Sequence, residues 1–270
     1  MAPLHTRTRL LVLCKTYPSP SSNYVETSCV AAMTEDGRLI RLFPVPFRLL
    51  GEAAQFKKWQ WIEADISKAT DDHRPESYRI RADTLRCIDE PVSTRNEWSH
   101  RRFWLEKLPE YGSFEQLNQA RIDNKVTLGL LTGQQVESLQ ITAARNPDWT
   151  ADELAKLSQA QGELFTENDR GPLRELRKLP MDFHYTYRAA DVPSSIPQTH
   201  KIVDWEAGAL YWNLQRSAPE NWEAPFRQKL EQQLPELDLM FLMGTIHRFP
   251  DQWLIVSLIY PPKPRALRLL

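Results

Sequence analysis

Two carboxylates, Asp204 and Glu206, flank Trp205 where a short apolar run after His200 gives way to a helical pattern. On a strand, residues i and i+2 share one face; at a helix start, the first acid caps the helix and the second lies in its electropositive first turn. The two geometries imply different chemistry. Paired on a strand end, with His200 across a turn, the acids would hold Mg²⁺ or Mn²⁺ and serve a metal-dependent nuclease or phosphodiesterase. Asp204, Glu206 and His200 are then the catalytic set, and Asp204 and Glu206 the metal ligands. Exonucleases with an Asp-x-Glu motif follow the first acid with antiparallel strands, whereas helical patterning follows here.

A second group of residues suits an anion. Lys15, Thr16, Tyr17, Ser21 and Tyr24 crowd an amine and hydroxyls into one proline-containing loop after a buried run. Arg41 and Arg48 bracket Leu42-Phe43-Pro44-Val45-Pro46-Phe47. Hydroxyls, a lysine and forked guanidinium groups fit a phosphate. The loop has no glycines to bring backbone N–H groups close, so it is no Walker loop. If the strands carrying Lys15 and Arg41 are neighbours, the two cations meet. As surface groups, each would cost well under ~1 kcal/mol of stability when replaced by alanine.

Arginine beside aromatics marks a third possibility. Trp98 to Trp104 carries Arg101 and Arg102, and Arg170 to Lys178 leads toward Tyr185, Tyr187 and Arg188. Such surfaces stack the bases of single-stranded nucleic acid. Cys14 and Cys29 lie in apolar runs and read as inert core thiols. No Ser/His/Asp constellation can be placed from spacing.

These residues need elements to hold them. Arg9 to Lys15 reads as a buried strand. Thr27 to Thr34 and Arg38 to Phe43 flank an Asp36-Gly37 turn, the strongest short-range hairpin signal, and Pro44 should end the second strand. Trp59 to Ile66 alternates, and Arg79 to Ile88 adds another strand. Short helices follow from Asn96, Ser113 being a helix cap. Strands are expected over Val126–Leu131 and Val136–Ile141, and a helix from Thr150 to about Leu164. Asp182 to Arg188 alternates with Phe183, Tyr185 and Tyr187 on one face. A helix after Asp204 and another ending near Leu234 precede two neighbouring strands, Asp238–Met243 and Gln252–Tyr260.

The expected fold is α+β: an N-terminal mostly-β unit, a small twisted sheet or partly closed barrel, packed on a C-terminal α+β unit. Its divisions are 1–95 mostly β, 96–180 helical or mixed connecting region, and 181–270 α+β. The net charge of −1 confines any nucleic-acid site to a local patch. Three widely spaced cysteines, without a CxxC or His/Cys cluster, argue against structural zinc and for the cytoplasm. No apolar run reaches the roughly 18–20 residues that span a bilayer, so no membrane partner is expected.

Lys15-Thr-Tyr-Pro, Arg41-Leu-Phe-Pro-Val-Pro-Phe-Arg48, Arg74-Pro-Glu-Ser-Tyr, and His200 with Asp204-Trp-Glu resemble an uncharacterised family of bacterial cytoplasmic proteins. The resemblance spans most of the chain and brings no activity with it. The leading expectation is therefore a module binding nucleic acid or a nucleotide-like anion, without a cofactor, through Lys15, Thr16, Tyr17, Ser21, Tyr24, Arg41, Arg48 and the aromatic faces. The alternatives are the metal-dependent nuclease and a subunit that contacts a protein partner.

Overall fold

The Asp36-Gly37 turn joins β3 (Val25–Met33) to β4 (Leu39–Val45), and this hairpin is the centre of the first of two sheets. The computed structural model describes residues 4–21, 25–153, 155, 177–192 and 195–264. Gly37 has φ +87°, and a Cβ there would lie 2.4 Å from the Lys107 carbonyl oxygen. β3 pairs on its other side with β1 (Thr6–Lys15), and β1 pairs with β5 (Trp61–Lys68). β6 (Ser77–Ile80) lies antiparallel to β5 and parallel to β4. The order β1-β3-β4-β6-β5 therefore returns to β1, closing a five-stranded barrel. Short β2 (Ser19–Ser21) and β7 (Arg86–Cys87) hang on β3 and β5.

Closure removes the sheet edges that would otherwise invite pairing with another chain. Its interior is apolar, filled by Leu10, Val12, Val30, Leu42, Ile62 and their neighbours. Pro44 does not end β4. The β3–β4 ladder is irregular between its Ser28↔Val45 and Val30↔Leu42 pairs, so the strand passes Pro44 where regular pairing lapses.

The second sheet has the order β10-β11-β12-β14-β13-β9-β8. Its strands are β8 (Glu110–Tyr111), β9 (Leu128–Leu131), β10 (Gln134–Ala143), β11 (Met181–Ala189), β12 (Gln198–Ile202), β13 (Met240–Thr245) and β14 (Trp253–Ile259). Residues 96–180, expected to connect two units, thus supply β8, β9 and β10 to this sheet. They also supply α1 (Arg95–Leu105) and α2 (Phe114–Asn124), the latter capped by Ser113, which accepts from Gln116 N. On one face lie α3 (Trp205–Ser217) and α4 (Glu223–Arg227), α4 continuing as a π-helical turn, Gln228–Gln233. Tyr211, Phe226, Leu230 and Leu234 pack there against Phe183, Tyr185 and Tyr187. The other face, with Leu128, Leu130, Leu242 and Val256, packs on the barrel through Leu11, Leu13, Met33, Trp59 and Trp61. Helices, sheet and barrel form three layers, in agreement with an α+β class. Among the described residues no helix is long and apolar enough to cross a membrane.

One irregularity decides where the chemistry points. In β1 the register slips between Val12 and Cys14. Leu11, Leu13 and then Cys14 all face the second sheet, while Leu10 and Val12 face the barrel interior. An extra residue reverses the two-residue alternation of every side chain after it. Lys15 consequently pairs in the row Lys15↔Val30↔Leu42, on the inner side, and Cys14 in the row Cys14↔Ala31↔Arg41, on the outer side.

Candidate ligand-binding cleft

Between the outer face of the barrel and the end of β13 lies a cleft of about 540 Å³. Its barrel side is Thr16, just past β1, with Thr27, Cys29, Arg41 and Phe43 of β3 and β4. The loop from β5 to β6 adds Asp72 and Arg74, and the turn after β13 adds His247 and Arg248. Leu128, Val203, Leu254 and Val256 form an aliphatic wall opposite. A mostly apolar pocket with a few convergent polar groups is the usual form of a small-ligand or nucleotide site.

Arg41 is 2% exposed. Its Nη1 donates to the Thr127 hydroxyl at 3.0 Å and its Nη2 to the Thr127 carbonyl oxygen at 2.8 Å. Among the described residues no carboxylate stands within ion-pairing distance of it. Glu76 is linked to it through a relay, accepting from the Thr127 hydroxyl at 2.5 Å and from Thr127 N at 2.9 Å. Burial pushes the guanidinium below its ordinary range, and Arg74 adds to that push. Nearby Cys29, Glu76 and Asp72 oppose it. Gly244 makes room for this arrangement. A Cβ there would lie 3.1 Å from both Leu128 and Val256 side chains and 3.6 Å from Arg41 Nη2.

Arg74 forks onto Asp72, with Nη2 to Oδ2 at 2.6 Å, and its Nη1 donates to the Thr245 carbonyl at 2.6 Å. Burial alone would raise the Asp72 carboxyl, but bonds from Arg74 and Ser77 outweigh it and hold the group well below the usual carboxylate range. Asp72 Oδ1 also lies 3.2 Å from His247 Nδ1, which leaves the other imidazole nitrogen facing away from the carboxylate. At the rim Phe43 is 44% exposed, and beside exposed Arg248 stands Phe249, 53% exposed. Two threonines of the cleft, Thr27 and Thr245, have buried hydroxyl oxygens with no hydrogen-bond partner among the described residues. Unmatched buried polar groups cost stability, and in native folds they concentrate where a water, ion or ligand supplies the missing bond.

The residues singled out from sequence divide between several places. Thr16, Tyr17 and Arg41 line the cleft. The Tyr17 hydroxyl is already committed: it donates to the Arg177 carbonyl at 2.8 Å and accepts from Trp212 Nε1 at 2.9 Å. Its ring rests on Gly208, where a Cβ would lie 2.6 Å away. Lys15 does not meet Arg41, because the bulge sends it to the inner side and because β3 separates β1 from β4. Arg48 pairs with buried Glu26 at 3.0 Å. The Ser21 side chain, Tyr24 and residues 170–176 lie outside the described residues. Tyr185 and Tyr187 are fully buried and cannot stack a ligand. Arg101 lies over Trp59 and Trp98, and Arg102 pairs with Asp238 at 3.0 Å, so both guanidinium groups are committed inside the protein.

Asp204 is 3% exposed and caps α3. Its Oδ1 accepts from Glu206 N at 2.6 Å and its Oδ2 from Leu258 N at 2.8 Å. Lys58 stands 3.9 Å from Asp204 and 3.1 Å from Glu206, and donates to the Leu258 carbonyl at 2.8 Å. Burial would depress Lys58, but the two carboxylates outweigh it and hold the ammonium above the ordinary lysine range. His200 is elsewhere, its ring 4.5 Å from Phe114 and its Nδ1 2.9 Å from the Tyr187 hydroxyl. Among the described residues no group of three or more His, Cys, Asp or Glu side chains is placed to hold a metal ion.

Phe43, Arg74, His247 and Arg248 are cleft residues that spacing alone did not nominate. Phe43 carried a signal, since it stands two residues from Arg41 on one strand face. The others come from two loops that only the folded chain brings together. Two family models match the chain, each described as a domain of unknown function: DUF8758 over residues 6–107 and DUF8757 over residues 110–270. No curated protein matches it.

Proposed function

We propose that this chain, which belongs to the DUF8757 family, binds single-stranded nucleic acid or a nucleotide through the cleft between barrel and second sheet. The observation that carries the reading is Arg41: a buried cation with no carboxylate in contact among the described residues, on the same strand face as exposed Phe43. A guanidinium held in low dielectric attracts a phosphate far more strongly than a solvated one. Phe43 and Phe249 offer ring faces for bases, and Arg248 offers a further charge at the rim.

The barrel's topology supports the same reading by analogy. The order β1-β3-β4-β6-β5, with β4 and β6 parallel, is that of the OB-fold. In that fold the second and third strands, with the first and fourth connections, carry oligonucleotide sites. Here these are β3, β4 and the loops after β1 and β5, which is where the cleft lies. A fold alone does not give a function, so the weight rests on the residues. The metal-dependent nuclease draws no such support, because both Asp204 oxygens already accept backbone N–H groups. The reading keeps the cytoplasmic location expected from the cysteine pattern and the bacterial origin implied by the family resemblance.

Ultraviolet cross-linking of a uridine-rich single strand, followed by peptide mapping, tests the location. Adducts in β4 and in residues 246–251 are expected. Adducts confined to other surfaces would overturn the assignment.

A further inference from the structure

The buried end of the cleft brings two hydroxyls up to Arg41. Thr27 and Thr245 are each 5% exposed, and among the described residues neither hydroxyl has a hydrogen-bond partner. The Thr127 carbonyl oxygen accepts from Arg41 Nη2 at 2.8 Å and from Thr245 N at 3.0 Å, so one acceptor draws the two residues together. Thr27 lies two residues from Cys29 on one face of β3, and the Cys29 thiol is within hydrogen-bonding reach of the Arg41 guanidinium.

The partners that Arg41 has among the described residues are neutral. They are Thr127, the Ser77 hydroxyl at 3.3 Å, and Cys29, whose thiol is pushed up by burial. Asp72 and Asp71 also line the cleft, but each is matched, the first by Arg74 and the second by Arg79.

We propose that this end of the cleft takes a phosphomonoester, the terminal phosphate of a strand or that of a mononucleotide, in preference to an internal phosphodiester. The inference rests on the cleft being the nucleic-acid or nucleotide site, and it adds which phosphate enters. An internal phosphate carries a sugar on each side. It cannot bring its oxygens onto a guanidinium that is 2% exposed without burying the chain as well. A terminal phosphate is joined to one sugar and enters end-on. It has three free oxygens and a charge of about −1.5 to −2 at pH 7. Arg41, Thr27 and Thr245 offer each of those oxygens a donor, through charge-assisted hydrogen bonds. The two hydroxyls then gain the partners they lack in the free protein.

The test uses the intact protein and one single-stranded sequence labelled on an internal base. The strand is prepared with hydroxyl ends, with a 5′-phosphate, with a 3′-phosphate, and closed into a circle. In anisotropy titrations one phosphorylated end should bind about tenfold more tightly than the hydroxyl-ended strand, as one charge-assisted hydrogen bond allows. The circle should bind no better than the hydroxyl-ended strand. Uridine monophosphate should displace the preferred strand where uridine does not. Thr245→Val removes a hydroxyl at nearly constant shape, so its melting temperature should match or exceed that of wild type. The variant should nevertheless lose most of the preference for a phosphorylated end. A general attraction for added charge would survive this neutral substitution, so a Thr245→Val protein with the full preference contradicts the inference. Equal affinity for all four strands would overturn it and leave the proposed function standing. Binding to none of them would remove both.

Discussion

Arg41 in the barrel holds Thr127 in the second unit by two hydrogen bonds, 3.0 Å to its hydroxyl and 2.8 Å to its carbonyl oxygen. The same guanidinium that would meet a ligand therefore also fastens the two layers that form the cleft. Replacing it leaves a buried carbonyl and the Glu76–Thr127 relay without their donor.

Arg41→Met should thus destabilise the protein by about 2–4 kcal/mol, the range for breaking a buried charged network. That far exceeds the surface-residue cost suggested by sequence. Urea unfolding of wild type and variant measures it, and a change under about 0.5 kcal/mol would contradict the burial argument.

Asp204 caps α3 with one oxygen and accepts from Leu258 N with the other. Asparagine can replace the cap, but it has one acceptor oxygen instead of two and no charge for Lys58. Asp204→Asn should therefore cost about 2 kcal/mol, more than the few tenths expected for a cap alone. The loss should be the same with and without Mn²⁺, as read from thermal melts. A loss confined to Mn²⁺-containing samples would instead mark Asp204 as a metal ligand.

His200 is pushed down to about 4 by burial, with His184 adding to the shift. Its folded value thus lies below its ordinary 6.5, so the fold favours the neutral ring. The stability tied to this group is fully present above pH 6.5 and is lost as pH falls through 6.5 toward 4. The difference corresponds to roughly 3 kcal/mol at most. Wild type should lose more stability between neutral pH and the lower end of that window than His200→Gln does, as followed by urea titrations. Parallel losses in the two proteins would show that His200 is not the group responsible.

Much of the framework is legible in the sequence because it depends on local signals. Asp36-Gly37 set the hairpin, Ser113 capped its helix, and the alternation of Phe183, Tyr185 and Tyr187 gave a strand with one buried face. Barrel closure was not legible, since the β1–β5 and β4–β6 pairings join residues far apart in the chain. The site was half legible. Arg41 and Thr16 stood out by type, but the bulge near Leu13 reversed the face on which Lys15 lies. Arg74 and His247 could not be connected without the fold, because their link runs through Asp72 from one loop to another. Trp98, Arg101, Tyr185 and Tyr187 show the opposite error, since composition cannot distinguish an aromatic core from an aromatic surface.

On the proposed function, the cleft binds a single strand through rim residues whose removal leaves the fold intact. Anisotropy titration of a labelled single-stranded oligonucleotide, compared among wild type, Phe43→Ala and Arg248→Ala, tests it directly. Binding is expected at about 50 mM salt, falling with a log–log slope near −0.7 per phosphate contact. Phe43→Ala should weaken affinity by about 1–3 kcal/mol, the worth of one stacked base, at unchanged salt slope. Arg248→Ala should make that slope shallower. No binding by wild type at about 50 mM salt, or identical curves for all three proteins, would contradict the account.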